Sequence, residues 1–265
     1  MNANRLSILP VCAMFAVGAF AHDTWVQTNI NIVRSGEAVY IDLMLGNHGN
    51  DHRDFKLAGK VGLDSSTVEV FGPDGAAIDL KPLLIDRGYT AKEGYWSAVY
   101  EPAGPGLYLV AQNSDQVVSY APERVVRSAK TFFLVSSSLD RIPANAPGYS
   151  RVLGHALELI PKANPVAPMG PGTPIKVTLL YQGKPLAGEK ISFIPRGRIL
   201  AKGFDPDFER RTDAAGSASF DPKEANDYLI VAHHVDPDTV GPGYKSTNYS
   251  ATLTVIVPGL RAKKT

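Results

Sequence analysis

Short runs of alternating apolar and polar residues, each cut off by a glycine- or proline-rich turn, recur along almost the whole of this 265-residue chain. Successive side chains of a strand point to opposite faces, so such alternation marks a segment with one buried and one wet face. Val39, Ile41, Leu43 and Leu45 alternate with Tyr40, Asp42 and Met44. Thr67-Val68-Glu69-Val70-Phe71 meets the turn Gly72-Pro73-Asp74-Gly75. Tyr95–Tyr100 runs into Glu101-Pro102-Ala103-Gly104-Pro105-Gly106, then Leu107–Ala111 follows and Thr131–Val135 closes this half. Strands resume at Ile175–Tyr181, Ile191–Ile194, Ser217–Phe220, Tyr228–Ala232 and Ala251–Val257. There is no long amphipathic helix between them. Strands at this spacing predict sandwiches rather than alternating β and α units.

Residues 136–150 (SSSLDRIPANAPGYS) are rich in Ser, Pro and Ala and read as a connection between domains. In the second half, Gly183-Lys184-Pro185-Leu186-Ala187-Gly188, Arg211-Thr212-Asp213-Ala214-Ala215-Gly216 and Tyr228-Leu229-Ile230-Val231-Ala232 together resemble small prealbumin-like or collagen-adhesin-B-type sandwich modules. Asp213 is expected to satisfy turn backbone groups and Gly216 to supply a positive φ. The prediction is an all-β chain with two consecutive β-sandwich domains, immunoglobulin-like or prealbumin-like. Its N-terminal sandwich spans 22–137, a linker 138–150, a C-terminal sandwich 151–260, and a basic tail 261–265.

Residues 1–21, MNANRLSILPVCAMFAVGAFA, have the layout of an export signal. Arg5 gives the positive start, Leu6 to Phe20 the apolar run, and Ala19-Phe20-Ala21 the small-residue cleavage site. The run falls short of the ~20 residues needed to span a bilayer, and no second apolar segment could do so. Cleavage after Ala21 predicts a periplasmic or secreted protein that begins at His22. Cys12, the only cysteine, would leave with the signal, so the mature chain has neither disulfide nor thiolate ligand. The charge is balanced, 27 Lys and Arg against 26 Asp and Glu, with no basic stripe, which argues against nucleic acid as a partner.

Without cysteine, a transition-metal site must draw on histidine, carboxylate or backbone groups. A chain that starts at His22 offers two nitrogens from one residue, the α-amine and the imidazole. Such groups ordinarily titrate near 7.7–8.0 and near 6.5, so both are available as neutral donors at modest cost around neutral pH. Residues 24–33 and 38–45 read as two strands running in opposite directions, with Ile30 opposite Ile41, Val26 opposite Leu45 and Asp23 opposite His48. Strand reversal alone brings His22 and His48 to the same end of the sandwich. His52 follows in His48-Gly49-Asn50-Asp51-His52, and Asp51 or Asp54 could accept from a ring N–H. His155 opens a strand entering the second half, where a hydrogen-bonded structural role competes with metal binding. His233 and His234 are strand neighbours, so at most one faces any given site. Asp205, Asp207, Asp236 and Asp238 flank prolines and read as turn formers, and Trp25 and Trp96 as core. No G-x-S-x-G, H-E-x-x-H or phosphate-binding glycine loop occurs.

Ala21-His22-Asp23-Thr24-Trp25-Val26, Leu45-Gly46-Asn47-His48-Gly49 and the phrase from Gly154 to Pro165 (GHALELIPKANP) together resemble domain-of-unknown-function family 4198. The resemblance covers nearly the whole mature chain. It implies a periplasmic accessory role in nickel and cobalt uptake, and it singles out His22, the His48 region and His155. With no membrane span of its own after cleavage, such a protein would serve membrane metal-transporter components as a soluble subunit or binder. Three functions therefore stand as expectations. One is a metal-binding accessory protein for Ni, Co or Cu, with His22, His48, His52 and His155 as candidate ligands and no catalytic residue. A second is a copper histidine-brace oxidative enzyme, and a third is a structural or adhesive module without metal.

Overall fold

The computed structural model describes residues 22–46, 48, 61–88, 90, 93–118, 121–139, 142–143 and 145–259. The expected signal 1–21, His52 with Asp51 and Asp54, and the basic tail 261–265 lie outside the described residues. Strands dominate, and no α-helix occurs among the described residues. The first half contains β1 (Asp23–Thr28), β2 (Ile32–Arg34), β3 (Val39–Gly46), β4 (Ser66–Phe71), β5 (Ala77–Asp79), β6 (Ile85–Asp86), β7 (Trp96–Tyr100), β8 (Gly106–Val117) and β9 (Glu123–Ser136). The second contains β10 (Leu157–Pro161), β11 (Ile175–Tyr181), β12 (Lys184–Pro185), β13 (Lys190–Pro195), β14 (Glu209–Arg211), β15 (Ser217–Phe220), β16 (Asn226–Asp236) and β17 (Ser246–Val257).

Three sheets result. One outer sheet has the order β1-β3-β7-β6, and the other is β10-β11-β12 with β15 also on β11. Between them runs a central sheet, β14-β13-β16-β17-β9-β8-β4-β5, with β2 beside β9. The central sheet belongs to both halves, because β17 pairs in parallel with β9 from Ser246 opposite Glu123 to Thr254 opposite Thr131. Each outer sheet covers a different face. Tyr108, Val110, Phe133 and Val135 pack with Val26, Ile41 and Leu43 in one core. Their strand neighbours Leu107, Leu109, Phe132 and Leu134 pack with Leu157, Leu159, Ile175, Val177 and Leu179 in the other. The molecule is thus all-β, two sandwiches built on one shared sheet.

Two strand readings need correction. β8 and β9 are much longer than Leu107–Ala111 and Thr131–Val135. Strands buried on both faces lose the alternation that marks a half-wet strand. The β1–β3 register also differs: Asp23 lies opposite Gly46, not His48, and Val26 opposite Leu43, not Leu45. The cause is that the chain does not stay in one hairpin. After Thr28 it leaves the outer sheet, and β2 pairs in parallel with β9 in the central sheet, Ile32 opposite Leu134. A slip of two keeps every side chain on its expected face.

The Asp213–Gly216 turn follows the sequence. Asp213 Oδ1 accepts from the amides of Ala215 and Ser217 at 2.9 and 2.8 Å, and Gly216 has φ +69°. A Cβ on Gly216 would stand 2.7 Å from the Leu179 carbonyl oxygen and 3.0 Å from the Leu186 nitrogen, both backbone. Gly216→Ala is therefore expected to cost about 1–3 kcal/mol, read as a lower urea midpoint at unchanged slope.

A candidate metal centre at the start of the first strand

β1 enters over the central sheet, where Thr252 Oγ1 donates to the Thr24 carbonyl at 2.8 Å. Trp25 and Met44, cross-strand partners, pack with Leu229 and Val231 of β16 in a small separate core. This contact joins the β1 end of the outer sheet to the C-terminal half. At its edge, His233 Nε2 and Asp23 Oδ1 lie 2.7 Å apart. His22, exposed, precedes this pair directly.

His48 lies two residues past the end of β3 and is 3% exposed. Its Nδ1 is 3.0 Å from the Ile194 carbonyl oxygen. A carbonyl can only accept, so Nδ1 carries the proton and Nε2 holds a lone pair. That Nε2 is buried and has no hydrogen-bond partner among the described residues. The ring stands edge-on to Trp25, with centroids 5.7 Å apart, and the His48 carbonyl accepts from the Gly197 amide at 3.1 Å. Burial lowers the His48 pKa to about 4, helped by the Arg196 guanidinium and opposed by the Ile194 carbonyl and Asp23. Arg196 is itself held by Gln27 Oε1 at 2.7 Å and by Asp227 Oδ2 at 3.2 Å. The imidazole is thus oriented by a backbone carbonyl, kept neutral, and left with its second nitrogen unprotonated. Metal-ligating histidines take the same form, with a backbone or carboxylate oxygen on the other nitrogen.

The remaining histidines lie elsewhere or are engaged. His234 turns to the opposite face of β16 from His233, where its Nδ1 meets Glu189 Oε1 at 2.8 Å and its ring packs on Tyr181. His155 precedes β10, beside Lys130 and Glu158, and burial pushes its pKa down. Its Nδ1 is buried without a hydrogen-bond partner among the described residues, rather than tied down as a structural histidine would be. Lys130 projects from the same face of the central sheet as Phe132 and Leu134, whereas Trp25 and His48 lie on the other face. Packed sheets are ~10 Å apart, so His155 and His48 are too far apart to share an ion at ~2 Å bond lengths. Among the described residues, no group of three or more His, Cys, Asp or Glu is placed to hold a metal.

The loop carboxylates are turn formers. Asp205 accepts from the amides of Ala201, Asp207 and Phe208, and these bonds, led by that of Ala201, lower its pKa. Asp236 accepts from Thr239, Tyr181 and the Asp238 amide, bonds that bring its pKa down to about 2. Trp25 is fully buried, and Trp96 donates from Nε1 to the Val61 carbonyl at 2.9 Å. The parts of the site that the sequence did not mark are the Ile194 carbonyl, Arg196 and Gln27. A carbonyl has no sequence signature, and neither polar residue stands in a motif.

No curated protein matches this chain. Among solved structures, the D0-D1 domain of intimin aligns at 11% identity and TM-score 0.26, covering 89% of this chain and all (100%) of that one. A Salmonella alpha-2-macroglobulin mutant aligns at 16% identity and TM-score 0.26, over 94% of this chain but only 16% of its own length. Fibronectin(III)-like modules of Clostridium thermocellum CbhA align at 13% identity and TM-score 0.23, over 91% of this chain and 97% of theirs. Scores this low carry no inference about function. The family model described as a domain of unknown function, DUF4198, matches residues 19–236, most of the chain, and the protein belongs to that family.

Proposed function

We propose that the mature protein is an exported, periplasmic metal-binding accessory protein. In this reading the α-amine and imidazole of His22, with Nε2 of His48, hold one divalent transition-metal ion of the nickel, cobalt and copper class. The protein would buffer the ion or hand it to membrane transporter components. The observation that carries this reading is the buried, unprotonated Nε2 of His48, which has no partner among the described residues. A buried polar atom without a partner is costly, and a site for an ion is one reason to keep it. Strand reversal supports the pairing, since β1 begins at Asp23 opposite Gly46 and both histidines adjoin that end. Three nitrogens come from two residues, so no cluster of three side chains is needed. The ion would be cargo, and no catalytic step is assigned to it.

The test is a titration with Ni²⁺ and Cu²⁺ of protein beginning at His22, beside a form with one extra residue before His22 and a His48→Ala variant. Copper is expected to bind more tightly than nickel, as the Irving–Williams order requires. Both altered proteins should lose at least about ten-fold in affinity. Equal affinity with the extra residue would remove the amine from the site. No binding at micromolar metal would leave the two sandwiches as a surface module.

A further inference from the structure

The chain between β13 and β14, residues 196–208, folds back along the last strand of the central sheet. Lys190 Nζ donates to the Gly203 carbonyl at 3.2 Å, and Asp205 Oδ2 accepts from the Ala201 amide at 2.9 Å. Lys190 lies opposite Arg211 in the β13–β14 ladder, and the Arg211 guanidinium stands 5.9 Å from the Phe204 ring. The loop therefore leaves β13 at Pro195 and returns beside the far end of that ladder. β14 is an edge strand, and covering an edge with a loop protects it from unwanted pairing.

Edge protection does not account for what the loop presents to solvent. Ile199 is 54% and Phe204 43% exposed. Single exposed apolar side chains are ordinary, but these two share one loop with a run of positive charge. From Lys190 to Phe204 the sequence has Lys190, Arg196, Arg198 and Lys202 and no Asp or Glu. Arg198 and Lys202 are exposed and enter no ion pair among the described residues. Arg198 lies over the Phe208 ring, 5.2 Å from its centroid. Two of the acids that follow are turned inward, Asp205 being 8% and Glu209 3% exposed. Glu209 is held by Lys190 at 2.8 Å and by Ser192 Oγ at 2.7 Å. Asp207, Asp221 and Glu224 are exposed and line the cavity beside Phe208 and Phe220.

We propose that this loop docks the protein on an anionic lipid bilayer. Ile199 and Phe204 enter the boundary between headgroups and acyl chains, while Arg198, Lys202 and Arg211 meet the lipid phosphates. Interfacial binding draws on buried apolar area and on attraction to anionic lipid together, and the loop offers both. A soluble polyanion would use the cations alone and leave Ile199 and Phe204 in water. Two apolar side chains are also too few for the core of a stable protein interface. The Gly197 amide donates to the His48 carbonyl at 3.1 Å, so docking would set the candidate metal centre beside the bilayer. The inference does not depend on metal binding.

Co-sedimentation of the metal-free mature protein with vesicles tests it. Vesicles of equal parts phosphatidylglycerol and phosphatidylcholine should bind it at least about ten-fold more tightly than phosphatidylcholine alone, and added salt should weaken that binding. The pairs Ile199→Ser/Phe204→Ser and Arg198→Gln/Lys202→Gln should each lower the affinity at least about ten-fold. Both pairs change exposed side chains, and an unchanged urea midpoint checks that each variant is folded. Val240→Ser, 62% exposed in the β16–β17 connection, should bind like the parent. No binding to the anionic vesicles, or equal binding to both kinds, would overturn the proposal. So would an equal loss in Val240→Ser. Undiminished binding in Ile199→Ser/Phe204→Ser would also overturn it, leaving a solvated basic surface open to any polyanion.

Discussion

Replacing Glu158 with alanine should destabilise the protein by about 3–5 kcal/mol, the usual cost of stranding one member of a buried ion pair. Lys130 and Glu158 are 2% and 1% exposed, and Nζ lies 2.5 Å from Oε1. The carboxylate also accepts from the amides of Leu153 at 2.7 Å and Gly154 at 3.1 Å, and Lys130 Nζ donates to the Arg151 carbonyl at 3.2 Å. Burial pulls the lysine pKa down, and Glu158 opposes that pull. Without Glu158 the ammonium must shed its proton or remain buried with one neutral acceptor, and two loop amides lose theirs. Lys130→Met should cost less, because Glu158 keeps both amide donors. The double variant Lys130→Met/Glu158→Leu should be more stable than Glu158→Ala alone, since it buries no unpaired charge. Urea unfolding followed by circular dichroism measures all three. Glu158→Ala within about 1 kcal/mol of the parent would show that the pair does not carry this load.

The sequence makes this fold legible where a strand has one wet face. Ile175–Tyr181 and Ser217–Phe220 were bounded to the residue, because β11 and β15 belong to an outer sheet. It fails in the middle of the central sheet. β9 carries Phe132 and Phe133 into opposite cores, and its polar stretch through Ser128 and Lys130 looks like a loop. That failure hid the ion pair too, since the expected strand began at Thr131, one residue past Lys130. Chain reversal sufficed to bring His22 and His48 to one end, but the register depended on where the chain left for β9. Side-chain alternation correctly implied that only one of His233 and His234 could face a given site, though not which one. The state of His48 was not legible at all. Its partner is the carbonyl of Ile194, 146 residues away in sequence, and carbonyls are common to every residue.

His48 should also impose a pH dependence of its own. Unfolded, its imidazole takes up a proton near pH 6.5, whereas in the folded protein it does so only near pH 4. Between these values the unfolded state binds the extra proton, so stability rises with pH. The contribution is fully present above pH 6.5 and is lost as pH falls through about 4. A shift of this size corresponds to about 3 kcal/mol. Carboxylates titrate in the same region, and the lowered pKa of His155 acts in the same direction. The contribution of His48 is therefore the difference between the parent and His48→Gln, each unfolded in urea at a series of pH values. The parent should lose about 3 kcal/mol more than the variant on going from pH 7 to pH 4, with parallel curves above pH 7. If the curves stay parallel throughout, His48 titrates like a solvated histidine. The buried lone pair would then be gone, and with it the observation on which metal binding rests.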